Sequence, residues 1–196
     1  IVIRQLMPPA LVPASAAAAE FSSSRAMEHL RAIAQRPHPT GSQENSRVMA
    51  YLLSQLTALG LETHVQMTTV VRRDSGLAAN VRNIVARLKG SASGRALMLV
   101  SHYDSVHSGP GASDDGSGVV TLLETARALK ACPKLKNDII FLLTDGEELG
   151  LVGAKAFIDE HPWAKDVAVA LNFEARGSCG SSVMFETSPE NGRLIS

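Results

Sequence analysis

Three segments of this chain, Ala96–Val100, Ile139–Leu143 and Val167–Phe173, are apolar at consecutive rather than alternate positions. Successive side chains of a strand point to opposite faces, so a strand with one face in water alternates apolar and polar residues. A run without alternation needs apolar cover on both sides. Helical spacing fills the gaps between these runs. Gly116–Ala131 sets Val119, Val120, Leu123 and Ala126 on one face and stops ahead of Pro133, and another helix is expected from about Leu151 to Glu160. Buried strands separated by helices predict an α/β fold: a mostly parallel mixed sheet with helices on both faces.

The first half of the chain reads more locally. Ser22–Ser24 offer N-caps to a helix carrying Met27, Leu30, Ile33 and Ala34, which ends before Pro37. Ser42 caps a second helix, lined by Val48, Leu52, Leu56 and Leu59 and closed by Gly60 as the residue after the cap. Thr63–Val71 and Val81–Leu88 read as strands of a hairpin around Ser75–Gly76, and Ser182–Phe185 as a short last strand. Residues 1–21 hold Pro8, Pro9, Pro13 and Ala16–Ala19 with almost no charge, and read as a leader or linker ahead of one domain over 22–196. A chain that opens at Ile1 rather than Met is expected to be a processed or excised piece, with a membrane anchor or leader upstream.

Composition removes several classes. Nineteen Lys+Arg balance nineteen Asp+Glu, so no basic excess exists to neutralise a phosphate backbone, and nucleic acid is not an expected partner. No apolar run approaches the roughly 20 residues of a membrane span. Cys132 and Cys179 are too few for a disulfide framework and too far apart for a metal knuckle. No Gly-x-Ser-x-Gly elbow supports a serine nucleophile.

The chemistry gathers where the apolar runs end. Ala96–Val100 leads into Ser101-His102-Tyr103-Asp104, Ile139–Leu143 into Thr144-Asp145-Gly146-Glu147-Glu148, and the third run into Glu174-Ala175-Arg176. Gly111-Ala112-Ser113-Asp114-Asp115-Gly116-Ser117-Gly118 opens the helix after the first. In α/β sheets ligands bind beyond the C-terminal ends of the strands. So many carboxylates at one partly dry edge repel one another unless a cation joins them, and His102 adds a nitrogen suited to zinc. Taken one at a time, Asp114-Asp115 also reads as a helix cap and Glu147-Glu148 as a solvated turn. His29, His38, His64 and His161 read as structural or solvated. His107 lies close enough in sequence to reach substrate, and Cys179 reads as a small loop residue.

His102-Tyr103-Asp104-Ser105, Gly111–Gly118, Asp145–Glu148 and Asn172-Phe173-Glu174 resemble the M28 family of co-catalytic zinc peptidases, over about residues 22–196. Arg36–Ser42 and Thr187–Asn191 look most similar to its membrane-anchored branch, akin to the endoplasmic reticulum metallopeptidases. The resemblance implies two zinc ions per complete domain, a peptide substrate cut next to its N-terminus, and an extracytoplasmic or lumenal domain of a membrane-anchored parent. By position it implies that His102 and Glu174 hold one metal and Glu148 the other, with Asp114 bridging both. Asp104 would orient His102 through its second ring nitrogen, and Glu147 would be the general base. Asp115 would shape the bridging loop, where the family tends to have a cis peptide.

The family's last ligand is a histidine well downstream of the Glu174 motif, and this chain has none after His161. A truncated catalytic domain of little activity is therefore expected. Two other functions remain in view: a glutaminyl-cyclase-like acyltransferase with one zinc, disfavoured by Asp115 and Glu174, and a peptidase-like binding module without catalysis, disfavoured by the intact acidic set.

Overall fold

Ser22 does what its type and position predict: its Oγ accepts the Arg25 N–H, and helix α1 (Ser23–Ile33) follows. Ser42 repeats the device at α2 (Gln43–Ala58), accepting from the Asn45 N–H, and Gly60 leaves that helix with φ 68°. The computed structural model describes residues 9–92, 94–175, 182–184, 186–189 and 191–192. After α2 come β1 (Glu62–Arg72), β2 (Leu77–Leu88), β3 (Ala96–His102), α3 (Gly116–Lys130), β4 (Ile139–Thr144), α4 (Val152–Glu160), a 3₁₀ turn (Pro162–Asp166) and β5 (Val167–Asn172).

The strands form one sheet in the order β1-β2-β4-β3-β5. β3 pairs parallel with both β4 and β5, whereas β2 pairs antiparallel with β1 and β4. Four strands therefore run one way and β2 alone opposes them, the mostly parallel mixed sheet that the apolar runs predict. β4 is buried at all six positions. Its residues divide by parity. Ile139, Phe141 and Leu143 join Ile84, Leu99, Leu52 and Val119 in a core under α1, α2 and α3. Ile140 and Leu142 join Val85, Met98 and Phe157 on the opposite face. Each such side chain contributes about 1.5–3 kcal/mol on burial, which is why this run contains no polar residue before Thr144.

Two expectations change. β5 ends at Asn172, and most of it is half or fully exposed although its sequence is apolar; it is the outermost strand of the described sheet. Residues 182–184 form no strand, since the described sheet ends at β5, and Phe185, Arg176 and Cys179 lie outside the described residues.

The stretch read as a leader or linker is tied to the domain from Val12 to Glu20. Its carbonyls need donors because it has no ladder of its own. Arg25 donates to Ala14 O and Ala16 O, Arg127 to Ala18 O and Glu20 O, and Ser22 Oγ to Val12 O and Pro13 O. Between the two guanidinium groups lies the buried Glu124 carboxylate, 3.0 Å from Arg25 Nε and 2.7 Å from Arg127 Nε. It also accepts the Ser22 N–H at 2.8 Å.

Candidate metal centre

The register of the parallel strands brings the motifs together. His102 lies opposite Thr144, and Val100 opposite Asn172, so β3, β4 and β5 all end at one edge. Asp115 fixes the fourth segment there. Its carboxylate caps α3 by accepting the Gly118 N–H at 3.1 Å, takes the His102 N–H at 3.3 Å and bonds Ser101 Oγ. A Cβ on Gly118 would lie 2.5 Å from that carboxylate, so only glycine lets the cap close. The Asp114–Asp115 peptide is cis, as the resemblance implies.

With its neighbour held, Asp114 faces the imidazole: Oδ1 is 3.0 Å from His102 Nε2. Glu174 Oε1 is 3.7 Å and Glu147 Oε2 3.9 Å from the same nitrogen. His102, Asp114 and Glu174 offer ligand atoms that all lie within 4.8 Å of one another. Glu148 stays outside this group, exposed on the following turn, with His102 and Asp114 near enough to act on its charge. His107 is exposed and also outside it.

His102 Nδ1 is 3.0 Å from the Asp104 main-chain carbonyl and 3.5 Å from the carboxylate, so the carbonyl is the nearer orienting acceptor. The carboxylate also accepts the N–H groups of Glu147 at 3.0 Å and Glu148 at 3.2 Å, with Thr40 Oγ1 3.3 Å away. One side chain thus links the β3 loop to the turn bearing both glutamates.

Sequence reasoning gave no role to Asp145, Tyr103, Asn83, Asn45 or Thr40. Asp145 is fully buried and accepts from Thr40 Oγ1 at 3.0 Å, Asn45 Nδ2 at 3.1 Å and the Arg82 N–H at 3.1 Å. Its own N–H donates to Asn83 Oδ1, and Tyr103 Oη donates to Arg82 O at 2.7 Å. The available signal was a carboxylate directly after a wholly apolar strand, which has to find donors. The remaining histidines are structural or solvated, as read: His29 meets Tyr51, His38 is buried on Arg36 O, His161 caps the 3₁₀ turn and His64 pairs with Glu62.

The electrostatics are those of a cation site. Burial works against charge on His102, but the Asp104 and Glu174 carboxylates that face its two nitrogens, with the Asp115 charge, override it, raising the imidazole to about 11. The bond to His102 holds Glu174 below its ordinary range. Burial, added to by neighbouring carboxylates, raises Glu147 and Glu148. Burial also lifts Asp115 to about 7. A proton on His102 is doing the balancing that a divalent ion does better. One imidazole among hard carboxylates is a donor set that fits zinc.

An imidazole and converging carboxylates at the C-terminal edge of an α/β sheet make a candidate site for a divalent ion. The sequence model of peptidase family M28 matches residues 83–196, more than half of the chain, and the chain belongs to that family. Endoplasmic reticulum metallopeptidase 1 of Rattus norvegicus is 33% identical over 196 residues, covering 90% of this chain and 22% of the relative. Vacuolar membrane protease of Eremothecium gossypii is 34% identical over 179 residues, covering 81% and 17%. The chain thus spans about a fifth of the length of these relatives. Among solved structures, BSAP, a zinc aminopeptidase from Bacillus subtilis, superposes with a TM-score of 0.71 at 16% identity, over 80% of this chain and 70% of that one. Porphyromonas gingivalis glutaminyl cyclase gives 0.71 at 23% identity, over 79% and 59%. At such identities both show the fold alone. No helix of the described residues is long and apolar enough to cross a membrane.

Proposed function

We propose that this domain hydrolyses peptide bonds next to a free N-terminus, using two zinc ions, within a membrane-anchored protein. The observation that carries the reading is the convergence of His102, Asp114 and Glu174 within 4.8 Å, beside Glu147, in a chain of this family. His102 Nε2 and Glu174 would hold one ion, Glu148 the other, and Asp114 both. When bound, the ions supply Lewis acidity to the scissile carbonyl and a water of lowered pKa.

The rest is work for the chain's own groups. Glu147 is half-buried, its carboxyl raised by burial and by the Glu174, Asp104 and Asp114 charges, so it is a stronger base than a free glutamate. It takes the proton of the attacking water and returns it to the leaving amine. Asp104 holds the main chain of Glu147 and Glu148 beside the site. A single-zinc cyclase reading gains nothing from the fold, which both kinds of solved relative share. The second ion meets only carboxylates in this chain, which has no histidine after His161, so the 196 residues by themselves are expected to turn over peptide weakly.

Glu147→Ala and Glu148→Ala in the full-length protein separate the roles. Glu147→Ala is expected to keep its zinc and lose about 10²–10⁴-fold in turnover of an aminoacyl-nitroanilide. Glu148→Ala is expected to lose zinc. Exchanged phenotypes would shift the motif by one residue and overturn the assignment.

A further inference from the structure

We infer that Arg72, at the end of β1, is a positioning residue for the Glu147–Glu148 turn and thereby for the second ion; this rests on the function proposed above. β2 runs against β4 with Ile84 opposite Leu143, so Leu77–Asn83 and the β1 residues paired with them overhang the sheet edge at the metal centre. The overhang is seated on α4, where Val70, Val81, Val152 and Ala156 are buried together. At its end Arg72 Nη1 donates to Gly150 O at 3.0 Å, while Nη2 lies 3.4 Å from Asp74 Oδ2, which fixes the plane of the guanidinium.

Gly150 closes the turn that carries the two glutamates: its N–H donates to Glu147 O at 2.7 Å. Gly146, Gly150 and Leu151 have φ of 76°, 94° and 62°. For Leu151 this is a strained conformation that persists only where the surroundings over-determine it. A Cβ at Gly150 would come within 2.6 Å of Arg72 Nη1, so the guanidinium occupies the place a larger residue would need. Glu148 has an exposed side chain, so what the fold fixes at this residue is its main chain. That main chain is held on one side by Asp104, at the Glu147 and Glu148 N–H groups, and on the other by Arg72 through Gly150 O. Arg72 is partly exposed and outside the core clusters, so its removal leaves the packing intact.

Arg72→Ala and Arg72→Lys in the full-length protein test this, by amide hydrogen exchange and by titration with zinc ion alone. In Arg72→Ala, exchange over Glu147–Leu151 is expected to speed up about three- to tenfold, the worth of one surface-accessible hydrogen bond, with β3 and β4 unchanged. The second zinc equivalent should bind weaker by a similar factor and the first should not change. Arg72→Lys, which keeps one donor, should recover part of both effects. Unchanged exchange in the turn, or equal weakening of both ions, overturns the inference. If the wild type takes up fewer than two ions, the proposed function fails, and the exchange measurement alone still decides the role of Arg72.

Discussion

Replacing Asp104 by Asn removes one charge and turns one acceptor into a donor at a site that is 1% exposed. The carboxylate takes the Glu147 N–H on one oxygen at 3.0 Å and the Glu148 N–H on the other at 3.2 Å, with Thr40 Oγ1 3.3 Å from the latter. An asparagine of the same shape keeps one of these amides and presents its own NH₂ to the other. The lost bond to a charged acceptor is worth about 1.5–3 kcal/mol, and a stranded N–H costs about 1–3 kcal/mol. Against this, the Asp104 charge raises its neighbours Asp145, Glu147 and Glu148, and Asn relieves that repulsion. The net expectation is a loss of about 1–3 kcal/mol, smaller than the bond count alone gives. Denaturant midpoints at unchanged m measure it. His102, deprived of a hydrogen bond and a charge that raise it, should titrate below its wild-type value of about 11, which proton NMR follows. A stability change under about 0.5 kcal/mol, with the His102 titration unmoved, would refute the role given to Asp104.

Metal binding should be linked to pH through the same imidazole. In the metal-free protein His102 holds its proton up to about 11, and a metal ligand must be neutral. Affinity should therefore rise about tenfold per pH unit on the way up and fall as pH drops. Calorimetry in buffers of different ionisation enthalpy should count close to one proton released as the first ion binds. At the back of the domain, Glu124 is desolvated, but Arg127, the Ser22 N–H and Arg25 override this and hold its carboxyl below the ordinary range. A depressed carboxylate stabilises above its unfolded pKa, and that stability goes as pH falls through the folded value. Glu124→Gln should thus cost about 1–3 kcal/mol at neutral pH, with the gap to wild type narrowing on acidification, as urea melts at both pH values would show.

The fold was legible where burial left no choice. β3 and β4 announce themselves by apolar residues on both faces, and Ser22, Ser42 and Gly60 mark helix ends by chemistry that acts within a few residues. The clustering of His102, Asp114, Glu147 and Glu174 followed from strand ends in a parallel sheet. What stayed hidden depends on contacts far apart in the chain. The second task of the Asp104 carboxylate depends on N–H donors 43 and 44 positions away, which no local pattern reveals. The ties of Val12–Glu20 run to Arg25 and Arg127, which gather around a glutamate whose burial no local pattern reveals. β5 reads as a covered strand and is the outermost strand of the described sheet, since composition reports what a strand tolerates rather than which neighbours it has.

In the proposed centre one carboxylate, Asp114, joins two divalent ions, one on His102 and Glu174 and the other on Glu148. Zinc counted per chain in the zinc-loaded full-length protein and in its Asp114→Ala variant tests this most directly. Close to two ions are expected in the wild type, with a loss of occupancy at both positions in the variant. Loss of a single ion on that substitution, or a wild type that holds only one, would contradict it.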